Sequence, residues 1–157
     1  GFIKKIGISI HNFDHIKIIL DKYKFDIVQL PFNIFDQRLL KYNIITYLKK
    51  KNVELHVRSI FLQGLLLMKP ETRPKMFTNF ETHLNLWDEW IKQNNITRLE
   101  ACLNFVNSID FVKGIVVGIK SLTQFEEMLS VKPTKFNLNT IKLANNELKL
   151  IDPSKWK

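Results

Sequence analysis

Apolar residues in this chain cluster at two spacings, and each spacing predicts an element. Residues 3–9 are rich in isoleucine and read as a short strand. Asn12 and Asp14 are alternative caps for a helix over about 13–23, with Ile16, Ile19, Leu20 and Tyr23 on one face. Residues 26–31 form a second strand. Asp36 opens a helix to about Lys50, striped by Leu39, Leu40, Ile44 and Leu48. Residues 53–59 form a third strand, and a longer loop with Gly64, Pro70 and Pro74 follows. Leu84, Leu86, Trp87, Trp90 and Ile91 mark an amphipathic helix ending near Asn94 and Asn95. Thr97 with Glu100 is a capping box, and its helix carries Leu99, Cys102, Leu103 and Val106. A fourth strand lies in 112–119, and Ser121 caps a helix with Phe125, Met128 and Leu129. The tail, 137–157, reads as one more short helix and then Asp152-Pro153-Ser154-Lys155-Trp156.

Strands alternating with helices predict an α/β fold with parallel pairing and right-handed crossovers. The length, 157 residues, suits a single domain over 1–157. The longest apolar runs are as short as Leu65–Met68, so no membrane span is expected, and no signal peptide is read at the start. One cysteine, Cys102, cannot form an internal disulfide, which points to a reducing, cytoplasmic setting. The formal charge is +9, but only four of the 24 basic residues are Arg (Arg38, Arg58, Arg73, Arg98) and the lysines are scattered. The densest run, Lys49-Lys50-Lys51, falls at a helix end, where cations complement the dipole. No nucleic-acid partner is expected.

In a parallel α/β protein, chemistry collects at the C-terminal ends of the strands. All four ends here are polar: Ser9 with His11 and Asn12, Gln29 with Asn33, Arg58 and Ser59 with Gln63, and Lys120 with Ser121. Loop-proximal residues are polar anyway, so the pattern admits one shared site or none. Arg58 is the sharpest feature: it could stack on a ring, grip an anion, or pair with a loop carboxylate such as Asp36. Ser121 could hold phosphate at a helix N-terminus or serve as a plain cap. Phe32, Phe35 and Phe61 could wall a pocket or fill the core. His11, His15, His56 and His83 lack metal-ligand spacing, so no metal is expected, and Cys102 reads as core. There is no Gly-rich dinucleotide fingerprint and no phosphate loop.

Several segments, taken in order, resemble the aldo/keto reductase family nearly end to end. Ile6-Gly7-Ile8-Ser9 resembles the family's fifth barrel strand, and Val28-Gln29-Leu30-Pro31-Phe32-Asn33 its sixth. Val57-Arg58-Ser59-Ile60-Phe61-Leu62-Gln63-Gly64 is similar to the seventh strand and its exit. Thr97–Val106 resembles the helix before the last strand. Val116-Val117-Gly118-Ile119-Lys120-Ser121 with Gln124 resembles the eighth strand and the cofactor-phosphate helix. The resemblance implies a (β/α)8 barrel that binds NADPH and reduces a small carbonyl substrate. It implies that Ser9 and Gln29 hold the nicotinamide carboxamide, and that Ser59, Gln63 and Gly64 border the pyrophosphate. It also implies that Lys120, Ser121 and Gln124 face the adenosine end. Arg58 stands where the family usually has a ring-stacking Tyr, Ile10 where an Asn commonly follows the Ser, and Met128 where many members have an Asn.

The family's catalytic Asp, Tyr, Lys and His belong to its first four strands, so no catalytic residue is assigned. A barrel takes about 250 residues, and this chain supplies only the second half. The expected architecture is a parallel (β/α)4 half barrel with two open edges and an uncovered apolar inner layer. Two functions follow. The chain is the C-terminal, cofactor-binding half of an NADPH-dependent reductase, inactive without the missing N-terminal half. Alternatively it is a stand-alone half barrel that homodimerises, a binding or structural module without enzyme activity.

Overall fold

The computed structural model describes residues 1–134 and 142–156. Four strands, β1 (Gly7–Ser9), β2 (Ile27–Pro31), β3 (Glu54–Arg58) and β4 (Val112–Val116), form one parallel sheet in the order β1-β2-β3-β4. The helices are α1 (His15–Lys22), α2 (Arg38–Lys41), α3 (Ile44–Lys51), α4 (Glu81–Asn94), α5 (Arg98–Asn107), α6 (Leu122–Ser130) and α7 (Leu148–Ile151). Sequential parallel strands need a crossover each, and the helices supply it.

The period-two alternation of the strands sorts their residues onto two faces. Val28, Leu30, Leu55 and Val57 are fully buried on one of them. They meet Ile16, Leu39, Leu48, Ala101, Phe105 and Val106 from the helices in one core. Phe32 and Phe105 stack with centroids 5.0 Å apart. Trp87 is wholly buried, and its indole N–H donates to the Leu66 carbonyl at 3.1 Å. The opposite face carries Ser9, Gln29, Glu54, His56 and Arg58, aligned by the register Ser9↔Gln29, Gln29↔His56 and Pro31↔Arg58. This corrects the expected apolar inner layer. The face is mainly polar, with Glu54 paired to Lys5 and the His56 ring lying over Gly114, although Ile27, Pro31 and Val116 share it. A Cβ at Gly114 would lie 3.0 Å from that ring, so any larger residue there has to push the imidazole aside.

Several boundaries differ from those predicted, for local reasons. The first strand shrinks to three residues because the Asp26 turn claims Ile6: the Asp26 carboxylate accepts from the Ile6 N–H, and the Asp26 N–H donates to the Ile6 carbonyl. The helix expected over 36–50 is two helices, broken at Asn43 with φ 53°, a conformation asparagine tolerates. The fourth strand stops at Val116 because its last ladder partner is Arg58, the end of β3. Neither alternative cap acts through its side chain at the α1 N-terminus. Instead the Asn12 carboxamide accepts from the Asp14 N–H at 2.9 Å, a turn just before the helix. The long loop after β3 is a series of 3-10 turns, Leu62–Leu67, Pro70–Thr72 and Lys75–Phe80.

The C-terminal segment crosses the strand ends. Asn145 N–H donates to the Phe35 carbonyl, the Trp156 ring meets Phe77 edge-on at 4.8 Å, and His11 pairs with buried Asp152 at 2.9 Å. The short helix expected in the tail is α7, and residues 137–141 and 157 of that stretch lie outside the described residues.

Candidate active site at the strand ends

The residues singled out at the strand ends fall into two adjoining groups. The first is a hydrogen-bonded network centred on Arg58. Its Nε–H donates to Ser9 Oγ at 3.3 Å, and Nη1 donates to Ser59 Oγ at 3.2 Å. The Ser9 hydroxyl donates onward to Gln29 Oε1 at 3.1 Å. Nη2 lies 3.5 Å from His11 Nδ1, and His11 Nε2 lies 2.9 Å from Asp152 Oδ2. Asp152 accepts only, so the imidazole proton on Nε2 donates to it and Nδ1 is left to face the guanidinium. Burial pushes the Asp152 carboxyl upward, but the hydrogen bonds from His11 and Ser154 outweigh it and hold the group below the usual carboxylate range.

The alternatives left open for Arg58 narrow here. Asp36 does not pair with it. That carboxylate is buried and taken in two-pronged fashion by Arg38, with Nε at 2.8 Å and Nη2 at 2.7 Å, and the Arg38 guanidinium lies over the Phe13 ring. Arg73 and Arg98 share Asp88. Among the described residues Arg58 is therefore the one arginine with no carboxylate within ion-pair distance.

The second group lines a cleft of about 810 Å³ between the exits of β3 and β4. Ser59, Gln63, Gly64, Lys120 and Gln124 border it, together with Phe61, Arg98, Leu99, Glu127 and Met128. Ser59 belongs to both groups. Its neighbourhood is unusual in backbone: φ is positive at Ser59 (58°), Leu62 (47°), Gln63 (53°) and Gly64 (88°). Only glycine adopts such angles freely, and non-glycine residues held there concentrate at functional sites. Buried Asn33 straps this turn down. Its Nδ2 donates to the Ser59 carbonyl at 3.0 Å while its Oδ1 accepts from the N–H groups of Phe35 and Asp36. Ser121 caps α6, with Oγ accepting from the Gln124 N–H at 3.2 Å, and Gln124 Oε1 accepts from the Lys120 N–H at 2.9 Å. Ser121 itself does not line the cleft.

Other candidates settle into packing. Phe32 and Phe35 are core, while Phe61 does border the cleft. Burial pushes the Cys102 thiol far upward, so it is an inert core residue. His83 sits against the Phe35 ring with a nitrogen 3.0 Å from the Leu143 carbonyl, and burial lowers its pKa. No group of His, Cys, Asp and Glu among the described residues is placed to hold a metal ion, and none of their helices is long and apolar enough to cross a membrane.

The sequence reading did not anticipate the Asp152–His11 pair, the Asn33 strap or the strained turn at Leu62. The Asp152-Pro153-Ser154 stretch does carry a turn signal, and Asp152 Oδ1 accepts from the Ser154 N–H at 3.0 Å.

The aldo/keto reductase family model matches residues 1–145. None of the curated proteins compared matches the chain. Among solved structures, the holo form of aldo-keto reductase AKR11C1 from Bacillus halodurans superposes with a TM-score of 0.68 at 20% identity, covering 87% of this chain and 47% of that one. Glycerol dehydrogenase AKR11B4 from Gluconobacter oxydans gives 0.64 at 18% identity, covering 95% and 50%. The chain thus spans about half the length of the structures it matches. An unclosed, four-stranded parallel sheet of that extent is half of a TIM barrel. The match over residues 1–145 places the chain in the aldo/keto reductase family.

Proposed function

We propose that the chain is the C-terminal, cofactor-binding half of an NADPH-dependent carbonyl reductase, whose catalytic Asp, Tyr, Lys and His come from the complementary half barrel. The observation that carries this reading is the meeting of the Arg58 network and the cleft at Ser59, on the strand ends of a family member. The residues suit the cofactor chemically. A cleft of about 810 Å³ is nucleotide-sized, and Lys120 puts a cation beside it for a phosphate. Ser9 and Gln29 would hold the carboxamide, Arg58 would lay its guanidinium plane along the ring, Ser59, Gln63 and Gly64 would border the pyrophosphate, and Gln124 would close the adenosine end. Bound NADPH would supply the hydride. The chain's own task is to fix the ring's orientation through hydrogen bonds already formed among Ser9, Gln29 and Arg58.

The reading expects saturable NADPH binding by the 157-residue chain, followed by tryptophan fluorescence, with affinity falling at least ten-fold in Lys120→Ala. It expects no carbonyl reduction until a first-half barrel is supplied. Absence of binding contradicts the cofactor assignment, and turnover by the pure chain contradicts the division of labour.

A second reading is a stand-alone half barrel that pairs with a second copy and performs no chemistry. It draws on the polar inner face, where Ser9, Gln29 and Arg58, and Lys5 and Glu54, partner one another and suit contact with water. A defined dimer in light scattering, without NADPH binding, selects it. Catalysis in a reducing cytoplasm fits the first reading and remains part of that proposal.

A further inference from the structure

Arg58 is held, and not neutralised. Its hydrogen-bond partners among the described residues are Ser9 Oγ, Ser59 Oγ and His11 Nδ1, and none of them is a carboxylate. The other three arginines each meet a carboxylate. A guanidinium has five N–H donors, one on Nε and two on each terminal nitrogen. One bond from each nitrogen goes to Ser9, Ser59 and His11. Among the described residues nothing takes the remaining N–H on Nη1 and on Nη2, which is the number that a carboxylate fork accepts.

The placement favours an anion as well. Arg58 ends β3 on the polar face of the sheet, partly exposed, at the open ends of the strands. The nearest acid in the network, Asp152, reaches it only through His11 and is already occupied by His11 and Ser154. Three anchors fix the guanidinium before any ligand arrives, so little side-chain freedom is left to lose on binding.

We infer that Arg58 forms a subsite for a small carboxylate, seated on the fork of its two terminal nitrogens. Ser9 is shared: its hydroxyl accepts from Arg58 and donates to Gln29. The proposed function places the nicotinamide carboxamide on Ser9, beside the same guanidinium, so a carboxylate on Arg58 competes for that space and the two occupants exclude each other. Only this competition rests on that function; the subsite itself does not.

The test is a titration of the 15N-labelled chain with sodium acetate, sodium phosphate and sodium chloride at matched ionic strength, following the Arg58 Nε–H resonance. The expected result is a saturable shift with acetate, absent with chloride; followed instead at the Ser59 backbone amide, which both proteins keep, acetate binding is weakened at least five-fold in Arg58→Lys, which keeps the charge but not the fork. An acetate response no larger than chloride's overturns the subsite. So does tighter binding of phosphate than acetate, which reassigns it to a phosphoryl group. Wild-type selectivity among the three salts decides these outcomes whether or not the variant folds. Acetate at saturation is further expected to raise the apparent Kd for NADPH at least three-fold. An unchanged Kd overturns the exclusion while leaving the subsite standing. No NADPH binding in a chain that does bind acetate counts against the reductase reading instead.

Discussion

Helices α5 and α6 have similar amphipathic patterns and opposite fates. Both start at a hydroxyl cap and carry apolar residues at helical spacing. In α5 the apolar side is covered: Ala101, Cys102, Phe105 and Val106 are buried. In α6 no residue is buried, and Leu122, Phe125 and Leu129 are 70%, 43% and 69% exposed. The difference lies in what each helix has to pack on. α5 packs into the closed core around β2 and β3, whereas α6 follows β4, which has a strand on one side only. An amphipathic stripe declares that a helix needs a partner. It does not declare that the partner lies in the same stretch of chain.

The largest test of this contrast is truncation on the two helices. Phe105→Ala removes a fully buried ring stacked on Phe32 and should cost about 3–5 kcal/mol in urea unfolding. Leu129→Ala, on the bare stripe, should stay within about 0.5 kcal/mol. A loss of more than about 2 kcal/mol at Leu129 would mean that α6 is already covered in solution, by a second copy of the chain, and concentration dependence of the midpoint would identify that case.

This contrast also marks how far the sequence is legible. The order of elements, the parallel sheet, the Thr97–Glu100 box and the Ser121 cap follow from spacing and cap chemistry, because those signals are local. The polar strand ends were legible for the same reason. What stayed hidden depends on contacts distant in sequence. Asp36 looked available to Arg58 until the fold gave it to Arg38, two residues away and better aligned. The His11–Asp152 pair joins opposite ends of the chain, and nothing at either position announces the other. The inner face was expected to be apolar because strands are mostly apolar on average. Read residue by residue, Ser9, Gln29, Glu54, His56 and Arg58 already alternate along that face.

The next effect concerns what holds the C-terminal segment to the covered side. Asp152→Asn keeps the shape but loses the charged acceptor for His11, and should cost about 1–2 kcal/mol at neutral pH. The pH dependence has a definite sign. Hydrogen bonds depress the folded-state pKa of Asp152, so its contribution is complete above the ordinary carboxylate range and is lost as pH falls through that range toward the folded value. Lowered by burial, the His83 pKa adds a step at higher pH: its contribution is complete above the ordinary imidazole range and fades as pH falls below it. Urea midpoints should therefore decline in two stages on acidification. The lower stage should flatten in Asp152→Asn and the upper one in His83→Gln. A wild-type midpoint constant from neutral pH down to the carboxylate range would refute the His83 assignment, and one constant on through that range would refute the Asp152 assignment.

The smallest effects compare the two caps directly. Thr97→Ala breaks a reciprocal pair, the Thr97 hydroxyl accepting from the Glu100 N–H at 3.1 Å and the Glu100 carboxylate accepting from the Thr97 N–H at 2.7 Å. Because α5 is part of the core, loss of its cap should appear as about 1 kcal/mol of global stability. Ser121→Ala breaks a similar bond, but α6 buries nothing, so its ends open without unfolding the rest. That variant should leave the urea midpoint nearly unchanged while the N-terminal amides of α6 exchange several-fold faster. If Ser121→Ala instead lowers global stability as much as Thr97→Ala does, α6 unfolds with the core, and the covered and bare regions are one cooperative unit despite their difference in burial.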